Sequence, residues 1–193
     1  MIKKMMPKSS FLEHWVVTTT DGEQADLYAG LINDGAIKAF QGGFCWQIAL
    51  ALAARKRWPI LVHLPADRVA PVIAQLDGGT VPIPPAADWR DWYPGFRHVS
   101  VRAPGRMIVD ILGRRTEDEV RRSLDEDPPD SGTHALMIPV SRKTFLAAQA
   151  QAIQSGKPVP KLPPNVIEEF VNTLIEDVAA RSIAGQNELR SLG

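Results

Sequence analysis

RHVSVRAPGRMIVDIL, residues 97–112, carries the plainest β signal in the chain. Polar and apolar residues alternate over 97–102, Ala103-Pro104-Gly105 supplies a turn, and alternation resumes over 106–112. A period of two on both sides of a Pro-Gly turn predicts an antiparallel β-hairpin. The hairpin places His98 on its first strand and Asp110 on its second, twelve residues apart. Side chains paired across such a hairpin come roughly 4.5–5.5 Å apart at Cβ, close enough for an imidazole–carboxylate hydrogen bond. A carboxylate among Met107, Ile108, Val109, Ile111 and Leu112 is costly to bury without a partner. Asp110 is therefore expected either to orient His98 or to pair with an arginine such as Arg106 or Arg114.

The second informative stretch lies upstream, at FQGGFCWQIALALAARKR, residues 40–57. It holds the single cysteine, Cys45, directly after a Gln-Gly-Gly-Phe turn and at the start of an Ala/Leu-rich helical run closed by Arg55-Lys56-Arg57. A thiol at a helix N-terminus sits at the positive end of the macrodipole, which favours thiolate, the nucleophilic form. A lone cysteine is more commonly a buried structural residue; the Gly-Gly turn and the helix-start position favour a nucleophile here. Such a nucleophile needs a base, and the base needs a group to hold it. His98 and Asp110 fill these two roles in chain order, with His63 and His134 as alternative bases, His63 also reading as a core histidine.

Around these two stretches the chain reads as mixed α and β. Ser10-Phe11-Leu12-Glu13 matches a capping box and predicts a short helix to about residue 17. Residues 23–33, with Leu27, Leu31 and Ile32 on one side, also read as helical, ended by Asn33-Asp34-Gly35. Trp58-Pro59 forces extended backbone before a short strand at 60–64. Residues 67–76 have a helical pattern interrupted by Pro71, and 77–97 form a long loop rich in Gly, Pro and Trp. Its aromatics Trp89, Trp92 and Tyr93 argue for a packed flap. They either line an acyl or peptide groove or simply pack the loop. Thr116 and Glu119 form another capping box, 134–140 is a third strand, and Ser141 caps a helix to about 154. A Pro-rich linker at 157–164 separates the main domain, 1–156, from a C-terminal amphipathic helix, 165–193. That helix carries two adjacent i+4 rows, Val166/Phe170/Leu174/Val178 and Ile167/Val171/Ile175/Ala179, suited to docking on the domain or, alternatively, to a dimer contact.

Composition narrows the function classes. With 22 basic and 22 acidic residues the net charge is zero, so the basic footprint of a nucleic-acid binder is absent. No apolar run approaches the roughly 20 residues of a membrane helix, so no membrane partner is expected. The N-terminal MIKKMMPKSS lacks the apolar core of a signal peptide. One cysteine rules out an intrachain disulfide or a cysteine-rich zinc site, and no His/Asp/Glu cluster has metal-ligand spacing. A reducing, cytoplasmic setting is the expectation, although a protein delivered into a host cell would have the same composition.

Gly42-Gly43-Phe44-Cys45-Trp46, then a helix, then His98 and Asp110 on successive strands, resembles the papain-like and transglutaminase-like cysteine superfamily. The order and two-strand placement are similar to transglutaminase-like proteins and arylamine N-acetyltransferases more than to papain. Gly-Gly-Phe-Cys resembles the acetyltransferase motif around its nucleophile, Cys-Trp recurs in papains and transglutaminases, and Asp110-Ile111-Leu112-Gly113 resembles the acetyltransferase Asp followed by glycine. The resemblance covers about residues 40–113. It implies an α+β fold, with a mainly antiparallel central sheet and the nucleophile helix packed on it. It also implies acyl transfer through a thioester without a cofactor: Cys45 attacks a carbonyl, His98 pairs with the thiolate and Asp110 orients His98. The Cys45 backbone N–H and the Gln41 side chain would meet the oxyanion, with Gln47 a weaker candidate for the second donor. Trp46 and Trp92 would contact substrate. Peptidase, isopeptidase or amidase action on a protein or peptide is the leading expectation. Transfer to an amine, or a non-catalytic binding or inhibitor protein on the same scaffold, are the alternatives.

Overall fold

The computed structural model describes residues 3–5, 13–64, 98–125, 136–156, 159 and 161–191. The readings for 67–76 and 77–97, with Trp89, Trp92 and Tyr93, and for His134 lie outside them. The fold is α+β, built on a five-stranded antiparallel sheet. Its strands are β4 (Ile60–Leu64), β5 (His98–Ala103), β6 (Met107–Asp110), β7 (Gly113–Arg115) and β8 (Leu136–Val140), in the order β7-β6-β5-β4-β8. The predicted hairpin is the β5–β6 pair, turned by Pro104–Arg106, with Val101 opposite Val109 and Ala103 opposite Met107.

Both faces of this sheet are covered, as its residue alternation requires. Ile60, Val62, Val99, Val101, Val109, Ile138 and Val140 belong to the main core. Into the same core go Ile48, Ala49 and Leu52 of α2 (Cys45–Lys56), and Phe145, Ala148 and Ala152 of α4 (Arg142–Gln154). The intervening residues Leu61 and Ile108 pack with Val120 of α3 (Glu117–Asp125) and with Met137 in a smaller cluster. Two of the helix starts follow the capping signals. Glu119 N–H donates to Thr116 Oγ1 at 3.2 Å while the Glu119 carboxylate accepts from Thr116, and Thr144 N–H donates to Ser141 Oγ at 3.0 Å.

The long helix α5 (Pro164–Ser191) joins the main core rather than forming a separate unit. Val166, Ile167, Phe170, Val171 and Leu174 are buried, and each such side chain contributes about 1.5–3 kcal/mol when fully removed from water. Phe170 meets Phe40 edge to face at 5.0 Å, and Arg55 of α2 reaches Glu168 at 2.8 Å and also Asn172. The segment before α5 is held by Gln47, whose amide donates to the Leu162 carbonyl at 3.1 Å and accepts from the Leu162 N–H at 2.7 Å.

Two helices expected near the N-terminus are strands instead. Of the helix expected over 10–17, residues 10–12 lie outside the described residues and the rest leads into β2 (His14–Thr18), which runs antiparallel to β3 (Gln24–Tyr28), the strand that occupies the expected helix at 23–33. With β1 (Lys3–Met5) they form a three-stranded sheet. Strand alternation decides the matter: Trp15 and Val17 are buried, and on β3 Ala25 and Leu27 are buried while Gln24 and Asp26 are exposed. Leu31, needed for the helical stripe, is 46% exposed. Asn33 was expected to end an element and instead begins one. Its side chain accepts from Ala36 N–H at 2.8 Å and N-caps α1 (Asp34–Ala39).

Candidate Cys-His-Asp site

Between α1 and α2 the chain kinks over Phe40–Phe44, where Gly42 and Gly43 leave helical φ/ψ. Gly43 adopts φ 121°, a conformation that favours glycine, and a Cβ there would run into Thr20 Cγ2. A Cβ on Gly42 would come 2.6 Å from Thr19 Cγ2. The β2–β3 turn thus grips the Gly-Gly pair. Thr20 also donates twice to the Gly42 carbonyl, from N–H at 2.8 Å and from Oγ1 at 3.0 Å. The outcome is a fixed approach into α2, whose first residue is the half-buried free thiol Cys45. Phe44, at the cap position, has no side-chain oxygen to occupy the first N–H groups of α2.

His98 opens β5 and Asp110 closes β6. Continuing the β5–β6 register by one residue puts Ser100 opposite Asp110, so His98 meets Asp110 on the diagonal. His98 Nε2–H donates to Asp110 Oδ2 at 3.0 Å. Asp110 is held on its other side as well: Oδ1 accepts from Leu112 N–H at 2.9 Å, and Oδ2 accepts from the Arg115 guanidinium. The arginine is neither Arg106 nor Arg114, because Ile111-Leu112 forms a two-residue turn, with Gly113 at φ 86°, that starts another strand. In that strand Arg114 pairs with Val109 and Arg115 with Ile108, so only Arg115 shares the face of Asp110. Arg106 sits exposed in the β5–β6 turn.

Electrostatics bind these groups into one unit. Burial works against the charged form of His98, but its hydrogen bonds to Asp110 and Cys45 outweigh that and push its pKa up to about 10. Burial likewise opposes the Asp110 carboxylate, yet the His98 hydrogen bond and charge, with Arg115, hold its pKa down at about 2. At neutral pH the pair is imidazolium and carboxylate, both buried. Linkage turns these shifts into a stability profile. The His98 contribution is complete below its ordinary 6.5 and is lost as pH rises through about 10. The Asp110 contribution is complete above its ordinary 3.8 and is lost as pH falls through about 2. Urea midpoints measured across pH are therefore expected to fall on both sides of a plateau at about pH 4–6.5. His98→Ala should remove most of the decline above it.

The tertiary structure brings together three of the residues singled out in the sequence: Cys45, His98 and Asp110. Gln41 is exposed on the turn just before Cys45, and Trp46 is packed into the main core at 9% exposure. Gln47 is committed to Leu162. Trp92 is outside the described residues. Arg115 was not foreseen; reading Asp110-Ile111-Leu112-Gly113 as a hairpin turn would have put it in register with Asp110. His63, expected as an alternative base or a core histidine, is wholly buried with its ring 5.3 Å from that of His98, and it shares a hydrogen bond with the buried Ser100, which had no signal in the sequence. Among the described residues no group of three or more His, Cys, Asp or Glu could hold a metal ion, and no helix is long and apolar enough to cross a membrane.

Fold and site define an α+β protein with a buried His-Asp pair next to a free cysteine. No family model matches the chain, and no curated protein or solved structure matches it.

Proposed function

We propose that this protein is a cysteine-dependent acyl-transfer enzyme built on a papain-like or transglutaminase-like core. The observation that carries the reading is His98, buried between Asp110 and Cys45 with its protonated form strongly favoured. An imidazolium beside a thiol stabilises thiolate, the form that attacks carbonyl carbon. With Nε2 held by Asp110, Nδ1 is the nitrogen left to serve Cys45.

The steps follow from that arrangement. The Cys45 thiolate adds to an amide carbonyl, and the oxyanion is met by the Cys45 backbone N–H with Gln41 as the second donor. His98 gives its proton to the leaving amine as the C–N bond breaks, which leaves a thioester on Cys45 and a neutral imidazole. Water then attacks the thioester while His98 takes its proton. The acid departs, and thiolate and imidazolium are restored. Peptide or isopeptide hydrolysis is the primary reading, and delivery of an amine in place of water gives the transferase variant. Either requires a reducing compartment that keeps Cys45 free.

Labelling tests the reading. The full chain is treated with a peptide or ubiquitin-like acyl electrophile and analysed by intact mass. A single adduct on Cys45 is expected, absent from Cys45→Ala. A folded protein whose Cys45 takes up no electrophile would instead be a binding or inhibitor protein on this scaffold.

A further inference from the structure

We infer that His63 is a positioning residue for His98, its ring forming a wall that keeps the His98 imidazole aimed at Cys45. The inference rests on the Cys45–His98–Asp110 reading and adds a fourth side chain to it. His63 lies on β4 directly across from His98, in the antiparallel register that also pairs Val62 with Val99 and Leu61 with Ser100. The two imidazole rings are 5.3 Å apart at their centroids and inclined by 53°. His63 is wholly buried and His98 nearly so, so neither ring has solvent space to swing into.

The His63 ring is itself held. Its Nε2 lies 2.7 Å from Ser100 Oγ. Ser100 is two residues along β5 from His98 and so projects from the same side of the strand. A buried imidazole nitrogen must be satisfied, and Ser100 supplies the partner at the point where the ring backs His98. His98 thus has two kinds of restraint. Asp110 fixes one ring nitrogen by a hydrogen bond, which alone permits the ring to pivot about that bond. His63 blocks that pivot by contact. A hydrogen bond and a packed face together define where Nδ1 points.

The claim is about a ring rather than a titrating group, which makes it separable from a purely structural role. Three proteins are compared with wild type: His63→Ala, the double variant His63→Phe/Ser100→Ala, and His98→Ala. The double variant keeps a ring and removes both members of the polar pair, so neither is left buried without its partner. The readouts are the iodoacetamide rate at Cys45, the ¹⁵N–¹H signature of the His98 ring, and thermal unfolding. Loss of orientation without loss of the groups themselves is expected to slow alkylation roughly tenfold or more in His63→Ala and to shift the His98 ring signals. The double variant is expected to recover to within about threefold of wild type, as preserved geometry requires.

A folded His63→Ala protein that reacts at the wild-type rate overturns the inference. So does a double variant that stays slow with its His98 signals in the wild-type position. Should His63→Ala fail to fold, the double variant decides alone, on its rate and its His98 signature. A wild-type rate in folded His98→Ala overturns the Cys45–His98 reading itself. Failure of the wall shows instead as a slow His98→Ala beside an unaffected His63→Ala.

Discussion

His98→Ala is expected to slow alkylation of Cys45 at pH 7 by roughly 100-fold or more, the scale on which a positioned acid–base group acts. Alkylation proceeds through thiolate, and an imidazolium at His98 beside Cys45 favours that form. Removing the ring removes that charge while leaving Cys45, the Gly42-Gly43 turn and its Thr20 hydrogen bonds in place. The shape of the rate profile carries as much information as its height. The thiolate–imidazolium pair of the proposed function predicts a rate that depends less steeply on pH in wild type, since His98 stays protonated until about pH 10. The variant should instead climb steadily toward alkaline pH, as an ordinary thiol does. Stopped-time alkylation with mass detection from pH 5 to 9 measures both, and parallel profiles for the two proteins would show that His98 does not govern Cys45.

Asp110→Ala carries the largest expected loss of stability, about 3–5 kcal/mol, which is the usual result of removing one partner from a buried ion pair. Asp110 is 3% exposed and receives three hydrogen bonds, from His98, Arg115 and the Leu112 backbone. Without it a buried imidazolium and a guanidinium face each other across an empty acceptor site, and the turn into β7 loses its clasp. Asp110→Asn keeps the shape and the Leu112 contact, so it should cost less. It should also weaken the hold on the His98 proton and lower the Cys45 rate without a matching loss of fold. Arg115→Ala should be the mildest of the three, since Arg115 is half-buried and its site opens toward solvent. Urea unfolding read by linear extrapolation gives the ranking directly. An Asp110→Ala protein as stable as a surface variant would mean that the carboxylate is not part of a buried network.

Much of this arrangement was readable in the sequence because its residues sit on locally encoded structure. Alternation on either side of Ala103-Pro104-Gly105 is enough to build the β5–β6 hairpin, and a hairpin brings residues about twelve apart onto one surface. Gly-Gly before an Ala/Leu run is enough to place Cys45 at a helix start. The same reasoning failed at 10–17 and 23–33, where Leu27 and Leu31 mimic a helical stripe. Those segments are short, and β2 and β3 become strands only because each is the other's partner. A segment of five residues holds too few side chains for its period to be unambiguous, and pairing settles it.

Local sequence alone therefore determined the Cys45 helix, the His98–Asp110 hairpin, the Ser141 and Thr116 caps, and the apolar rows of the C-terminal helix. These are patterns whose cause lies within a few residues. Only the tertiary structure decided which arginine holds Asp110, that His63, hydrogen-bonded to Ser100, stands against His98, that the β2–β3 turn grips the Gly42-Gly43 bend, and that Gln47 is spent on Leu162. Each of those joins residues on different elements. A shift of one residue in strand register would exchange Arg115 for Arg114 on the face of Asp110, and that register is set by the packing of both sheet faces at once.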